Sequence, residues 1–134
     1  MMLLTPDLHA ALRANDVAAA KLENFDPVPV VKFFNPVGAA TWLATELAED
    51  GDTLRGLADL GFGCPELGTF SLSELASARL PFGLGIERDP NFHSGHPLST
   101  WAGWARRTGS ISTAETLLRS LARAANDETP PMGG

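Results

Sequence analysis

The feature that most constrains this chain is a turn. Glu49, Asp50, Gly51 and Asp52 stand between two apolar runs, Thr41–Leu47 and residues 53–60. An Asp-Gly pair reaches positive φ at little cost, which is what a tight hairpin needs. The two runs therefore read as antiparallel neighbours. A short helix over the first run fits its composition, but the turn after it favours a strand. Strict alternation sends Trp42, Ala44 and Glu46 to one face and Leu43, Thr45 and Leu47 to the other.

The neighbouring segments extend the pattern. Val28 to Phe34 is β-branched and aromatic and reads as a strand, with Pro29 near its start, where a missing donor is tolerated. Asn35, Pro36 and Gly38 form the turn that follows. Residues 83–88 read as a fourth strand, with Leu84 and Ile86 on one side. Helices are expected around this sheet. Thr5, Pro6 and Asp7 open one over residues 5–16, with Leu8, Ala11 and Leu12 on its inner face and a loop over residues 21–27. Ser71 and Glu74 have the spacing of a capping box, and Pro81 closes that helix. Residues 98–107 carry the stripe Leu98, Trp101, Trp104 and Ala105. Residues 112–125 open on a second capping box, Ser112 with Glu115, and show Leu117, Leu118, Leu121 and Ala125 inward. Residues 127–134 hold two prolines and two glycines and read as a disordered tail. The expected architecture is α+β, one domain over residues 1–126. It has a small, mostly antiparallel sheet of about four strands with flanking helices.

Composition narrows the function classes. The length, 134 residues, suits one domain that needs no metal or disulfide to hold it. Cys64 is the single cysteine, which fits a reducing compartment and a cytoplasmic location. The apolar run at Met1 to Leu4 stops at Thr5, too short for a signal peptide or a membrane span. A net charge of −6 disfavours direct binding to phosphate backbones, yet it falls short of a DNA-mimicking row of carboxylates.

Five groups of residues could carry chemistry or contacts. In the loop from Asp59 to Gly68, three glycines permit close approach of a ligand, and Asp59 and Glu66 bracket the Cys64 thiol. Glycine is equally the default wherever a chain turns sharply, and no Lys-Ser or Lys-Thr follows to make a phosphate loop. Cys64 as a nucleophile needs a base, and the histidines stand at positions 9, 93 and 96. His93 and His96 share a polar loop with Asp89, two ligands where a zinc site needs three or four. Arg79, Glu87, Arg88 and Asp89 form a charged set suited to an anion or to ordinary surface pairing. Trp101 and Trp104, one helical turn apart, suit a partner hot spot or a buried stripe. Arg106, Arg107, Arg119 and Arg123 offer a local basic face for nucleic acid. No cofactor fingerprint is present.

A string of blocks carries a resemblance. It runs from Pro27-Val-Pro-Val-Val-Lys-Phe-Phe-Asn-Pro36 through Thr41-Trp42-Leu43 and Thr45-Glu46-Leu47 to Gly56-Leu57-Ala58-Asp59-Leu60-Gly61-Phe62-Gly63-Cys64-Pro65-Glu66-Leu67-Gly68. It ends in Phe70-Ser-Leu-Ser-Glu-Leu75 and Arg79-Leu-Pro-Phe-Gly-Leu-Gly-Ile-Glu-Arg-Asp89. Over about residues 1–107 the chain resembles the domain-of-unknown-function family 2958. The resemblance implies a small bacterial protein of plasmids and integrative elements, in the company of genes for DNA handling or for countering host defence. It brings no catalytic residues. The expectation is an accessory protein acting through another protein, without a cofactor. The alternatives are a small enzyme using the 59–68 loop and a nucleic-acid binder using the arginine face.

Overall fold

The computed structural model describes residues 2–127. Five strands form one sheet in the order β4-β3-β2-β1-β5, every neighbouring pair antiparallel. They are β1 (Val31–Phe34), β2 (Thr41–Leu47), β3 (Thr53–Asp59), β4 (Glu66–Ser71) and β5 (Glu87–Arg88). The helices are α1 (Pro6–Lys21), α2 (Leu72–Ser77), α3 (Leu98–Thr108) and α4 (Ile111–Asp127). The fold is α+β. Among the described residues, no helix is long and apolar enough to cross a membrane.

The sheet is covered on both faces. Val31, Phe33, Trp42, Ala44, Leu47 and Leu54 pack under α1 and α2, where they meet Leu12, Leu75, Leu3 and Leu4. Leu43 and Leu57 pack on the other face against Trp101, Ala102 and Ala105 of α3 and Ile111, Ala114 and Leu118 of α4. All seven residues of β2 are therefore buried, including the polar Thr41, Thr45 and Glu46. Each fully buried leucine or phenylalanine here contributes roughly 1.5–3 kcal/mol.

A bulge revises the reading of β2. Register shifts between Ala44 and Glu46, so one extra residue is absorbed there. Leu47 thereby joins Trp42 and Ala44, whereas strict alternation sends it with Leu43. The Asn15 side-chain amide donates to the Thr45 carbonyl at 2.9 Å and holds the irregular segment.

The hairpin forms as its residues dictate. Gly51 takes φ 73°, and its N–H donates to the Ala48 carbonyl at 3.0 Å. Asp50 Oδ1 accepts the Asp52 and Thr53 N–H groups, and Oδ2 accepts the Thr53 hydroxyl at 2.6 Å. These bonds, the Thr53 hydroxyl first, pull the Asp50 carboxyl down to about 2. Asp52 reaches across to the start of α2, accepting the Ser71 hydroxyl at 2.7 Å and the Ser73 N–H at 2.7 Å. Those bonds, Ser71 first, also lower its carboxyl. Ser71 caps α2 through the Glu74 N–H at 3.2 Å.

Several boundaries differ from expectation. α1 continues through the alanines to Lys21, and Ala11 is exposed while Leu12 is buried. β1 starts at Val31, because Pro27 and Pro29 lack donors for the ladder. Residues 66–71, part of which reads as loop, form the fifth strand, β4. The fourth strand shrinks to Glu87–Arg88, because a 3₁₀ turn at Pro81–Gly83 takes its start. α2 ends at Ser77, four residues before Pro81. The second capping box is displaced: Ser110 Oγ accepts the Thr113 N–H at 2.9 Å, while Glu115 turns to Lys32 at 2.8 Å. α4 buries Ile111, Ala114 and Leu118 and leaves Leu121 and Ala125 exposed. Asp127 belongs to α4, and the remainder of the expected tail, 128–134, lies outside the described residues.

Candidate functional site

The glycine loop joins β3 to β4 and does two separate things. On its inner side Asp59 is 1% exposed. Its Oδ1 accepts the Gly61 N–H at 2.9 Å, and its Oδ2 accepts the Ile111 N–H at 2.9 Å. A carboxylate at the first turn of α4 suits the positive end of the helix dipole and satisfies an orphan donor. Both oxygens are thus committed to structure. On its outer side, Gly61 at φ 90° and Gly63 at φ 82° throw Phe62 outward, where it is 85% exposed. Leu60 beside it and Leu67 at the start of β4 are about half-exposed.

Cys64 is exposed between two depressions. One, of about 490 Å³, is lined by Gly63, Cys64, Glu66, Leu67 and Arg106. The other, of about 240 Å³, is lined by Ala58, Leu60, Phe62, Cys64 and Glu66. Glu66, Cys64 and Arg106 therefore share one surface, while Asp59 points beneath α4. The histidines lie elsewhere: His93 and His96 border a 160 Å³ pocket with Trp101, Glu115 and Arg119. Among the described residues, no three His, Cys, Asp or Glu side chains are grouped to hold a metal ion.

β4 is an edge strand. Leu72 N–H donates to the Asp52 carbonyl at 2.8 Å, and the same register pairs Phe70 with Leu54 and Gly68 with Gly56. In an antiparallel ladder, alternate residues exchange bonds with the neighbour. Phe70, Gly68 and Glu66 therefore bond to β3, and Leu67 and Thr69 turn their N–H and C=O groups to the outer side. The opposite edge is different. β5 has two residues, and Arg88 bonds back to the Leu3 carbonyl at 2.9 Å, tying the N-terminal segment over it. Short strands and covering segments are the usual protection of an edge; β4 is six residues long, and among the described residues no strand pairs with its outer side.

The remaining candidates disperse. Trp101 is buried against Phe92, ring centroids 5.9 Å apart, and its indole N–H donates to Ser94 Oγ at 2.8 Å. Trp104 is half-buried, with the Arg107 guanidinium 5.4 Å from its ring. Arg79 is exposed after α2, and Glu87 sits in β5. Asp89 lies 3.7 Å from Lys32 Nζ. Arg119 lies 3.5 Å from Glu115, and Arg106 and Arg123 are exposed on α3 and α4. Leu60, Phe62 and Leu67 were not singled out by sequence, although a signal exists. An aromatic between two glycines, Gly61-Phe62-Gly63, sits where the chain is turning and has no regular face to bury.

The family model of a protein of unknown function, DUF2958, matches residues 3–112, from the N-terminal segment through every strand to the start of α4. The chain belongs to that family. No curated protein and no solved structure matches it. The family match takes in the whole sheet, the glycine loop and the Asp59 contact to Ile111, and most of α4 lies beyond it.

Proposed function

We propose that this is a binding protein acting through protein contacts, and that its docking surface is the outer edge of β4 with the loop before it. The observation that carries the reading is the asymmetry of the sheet. One edge is a two-residue strand tied down by Arg88, and the other is six residues long with Leu60, Phe62 and Leu67 exposed beside it. A surface of that kind suits an extended segment of a partner, added as a further strand. Backbone groups of Leu67 and Thr69 would supply the ladder, and Phe62 would supply an apolar anchor. Glu66 and Arg106 at the end of the strand would orient the incoming chain by charge. In the bacterial mobile-element setting that the resemblance implies, the partner would be a DNA-handling or defence protein, and a net charge of −6 favours a basic one.

The test compares captures from a nuclease-treated host lysate by the intact chain, by Phe62→Asp and by Thr69→Pro. Proline removes an outward N–H and leaves the bonds to β3 in place. The reading expects a stoichiometric partner for the intact chain, lost with both variants, and slowed amide exchange at Leu67 and Thr69 in the complex. A partner held equally by all three chains would overturn it.

A further inference from the structure

Next to the β2 bulge, among the described residues, lies a carboxylate without an ion pair. Glu46 is 7% exposed and directly faces Arg55 across the β2–β3 ladder. Its Oε2 accepts the Thr45 hydroxyl at 3.0 Å. Among the described residues it has no ion pair, and its other oxygen accepts no hydrogen bond. Arg55 is exposed and is likewise without an ion pair. The second oxygen of Glu46 is open to solvent, so the side chain presents an unpaired negative group to the cleft it lines.

Both groups line one open cleft of about 500 Å³, within the range of small-molecule sites. Its wall includes Ala19, Ala20 and Leu22 at the C-terminal end of α1, with Phe25 beyond them. The last carbonyls of a helix carry partial negative charge, which adds to the attraction for a cation at that end. Asp16 is also present on the rim, but Arg13 neutralises it at 2.9 Å. The cleft thus offers a negative group, a separate positive group and an apolar wall.

We infer that this cleft binds an α-amino-acid-type zwitterion. Its ammonium pairs with Glu46 and its carboxylate with Arg55, and an apolar side chain lies along Ala19, Leu22 and Phe25. The bulge has a role in this arrangement, because it sets Glu46 opposite Arg55 at the mouth of the cleft. Arg55 pairs with Thr69 of β4 in the ladder, but the ligand here is a free amino acid rather than an added strand, so its titration is read separately from partner capture.

The experiment is a titration of the ¹⁵N-labelled chain with L-leucine, with leucinamide, which lacks the carboxylate, and with N-acetyl-leucine, which lacks the ammonium. L-leucine is expected to give saturable amide shifts at Thr45, Glu46 and Arg55. Each blocked form is expected to bind at least about tenfold more weakly, as the loss of one charged contact implies. Glu46→Gln is expected to remain folded and lose the response, and Arg55→Ala, a change at an exposed position, tests the carboxylate end separately. Absence of saturable shifts, equal binding of the three ligands, or an undiminished response in both variants would overturn the assignment.

Discussion

Replacing Asp59 tests whether the glycine loop is first of all a structural joint. In Asp59→Ala the Ile111 N–H loses its acceptor in a buried setting, and the Gly61 N–H loses one that water can replace. The first loss is that of a charge-assisted bond at a helix N-terminus, about 2–3 kcal/mol when the donor stays dry. The second costs roughly 0.5–1 kcal/mol, as for an ordinary exposed bond. The sum is about 3 kcal/mol, a large part of the 5–15 kcal/mol typical of a domain. For a chain of this size that corresponds to about a 10 °C fall in Tm. Asp59→Asn keeps one acceptor oxygen and is expected to lose less, about 1–1.5 kcal/mol. Urea denaturation gives the energies, and amide exchange over residues 111–114 should quicken ahead of the rest of the sheet. A loss below about 1 kcal/mol in the alanine variant would refute the argument that this carboxylate is held for the sake of α4.

Gly56→Ala would put a Cβ 1.8 Å from the Leu43 carbonyl oxygen, so the ladder between β2 and β3 must part; a loss of about 3 kcal/mol in chemical denaturation is expected. Phe82 holds φ 65° while 91% exposed, so Phe82→Gly should raise stability by about 1 kcal/mol, seen as a higher urea midpoint. Acid should loosen the hairpin. The carboxyls of Asp50, at about 2, and of Asp52 lie below their unfolded values, so their stabilisation is complete above about pH 4–5 and is lost as pH falls toward 2. The double variant Asp50→Asn, Asp52→Asn should flatten that part of the pH–stability curve. Lys32→Met leaves Glu115, whose side chain is 12% exposed, with only the looser Arg119 contact and should cost about 2 kcal/mol. Adding Glu115→Leu should restore much of that loss, which a double-mutant cycle measures.

What was legible in the sequence was local. The Asp50-Gly51 turn, the Ser71 cap and the Thr5 cap are each decided within a few residues, and each forms as read. What was not legible depended on distant partners. α4 receives part of its N-terminal capping from Asp59, 52 positions away, and the nearer Ser112–Glu115 spacing competes with Ser110 as the start signal. Leu118 is buried as read, but a start placed at Ser112 left out Ile111 and missed Ala114, while Leu121 and Ala125, further along the same stripe, are exposed. β4 escaped because Glu-Leu-Gly-Thr-Phe-Ser carries a central glycine and only partial alternation, as an edge strand can. The bulge at Thr45 was hidden because a strand buried on both faces shows no period for an extra residue to interrupt.

The two sides of the glycine loop bear on one another. A docking surface gains affinity when it is ordered before the partner arrives, since less conformational freedom is lost on binding. Phe62 stands on a short loop with positive φ on both sides, a segment that by composition would be free to move. Asp59 holds its first turn through Gly61 and fastens it to α4 through Ile111. Gly109 closes from the other side, where an added Cβ would lie 3.7 Å from the Gly63 carbonyl oxygen, so the α3–α4 corner packs against the loop. The carboxylate that resembles a catalytic acid in the sequence is, in the fold, the clamp that presents the exposed aromatic. If the β4 edge is the binding surface, the conservative Asp59→Asn change should weaken partner binding by more than its stability loss explains. It should do so through faster dissociation, while Lys32→Met, at least as destabilising but remote from the loop, should leave the dissociation rate unchanged.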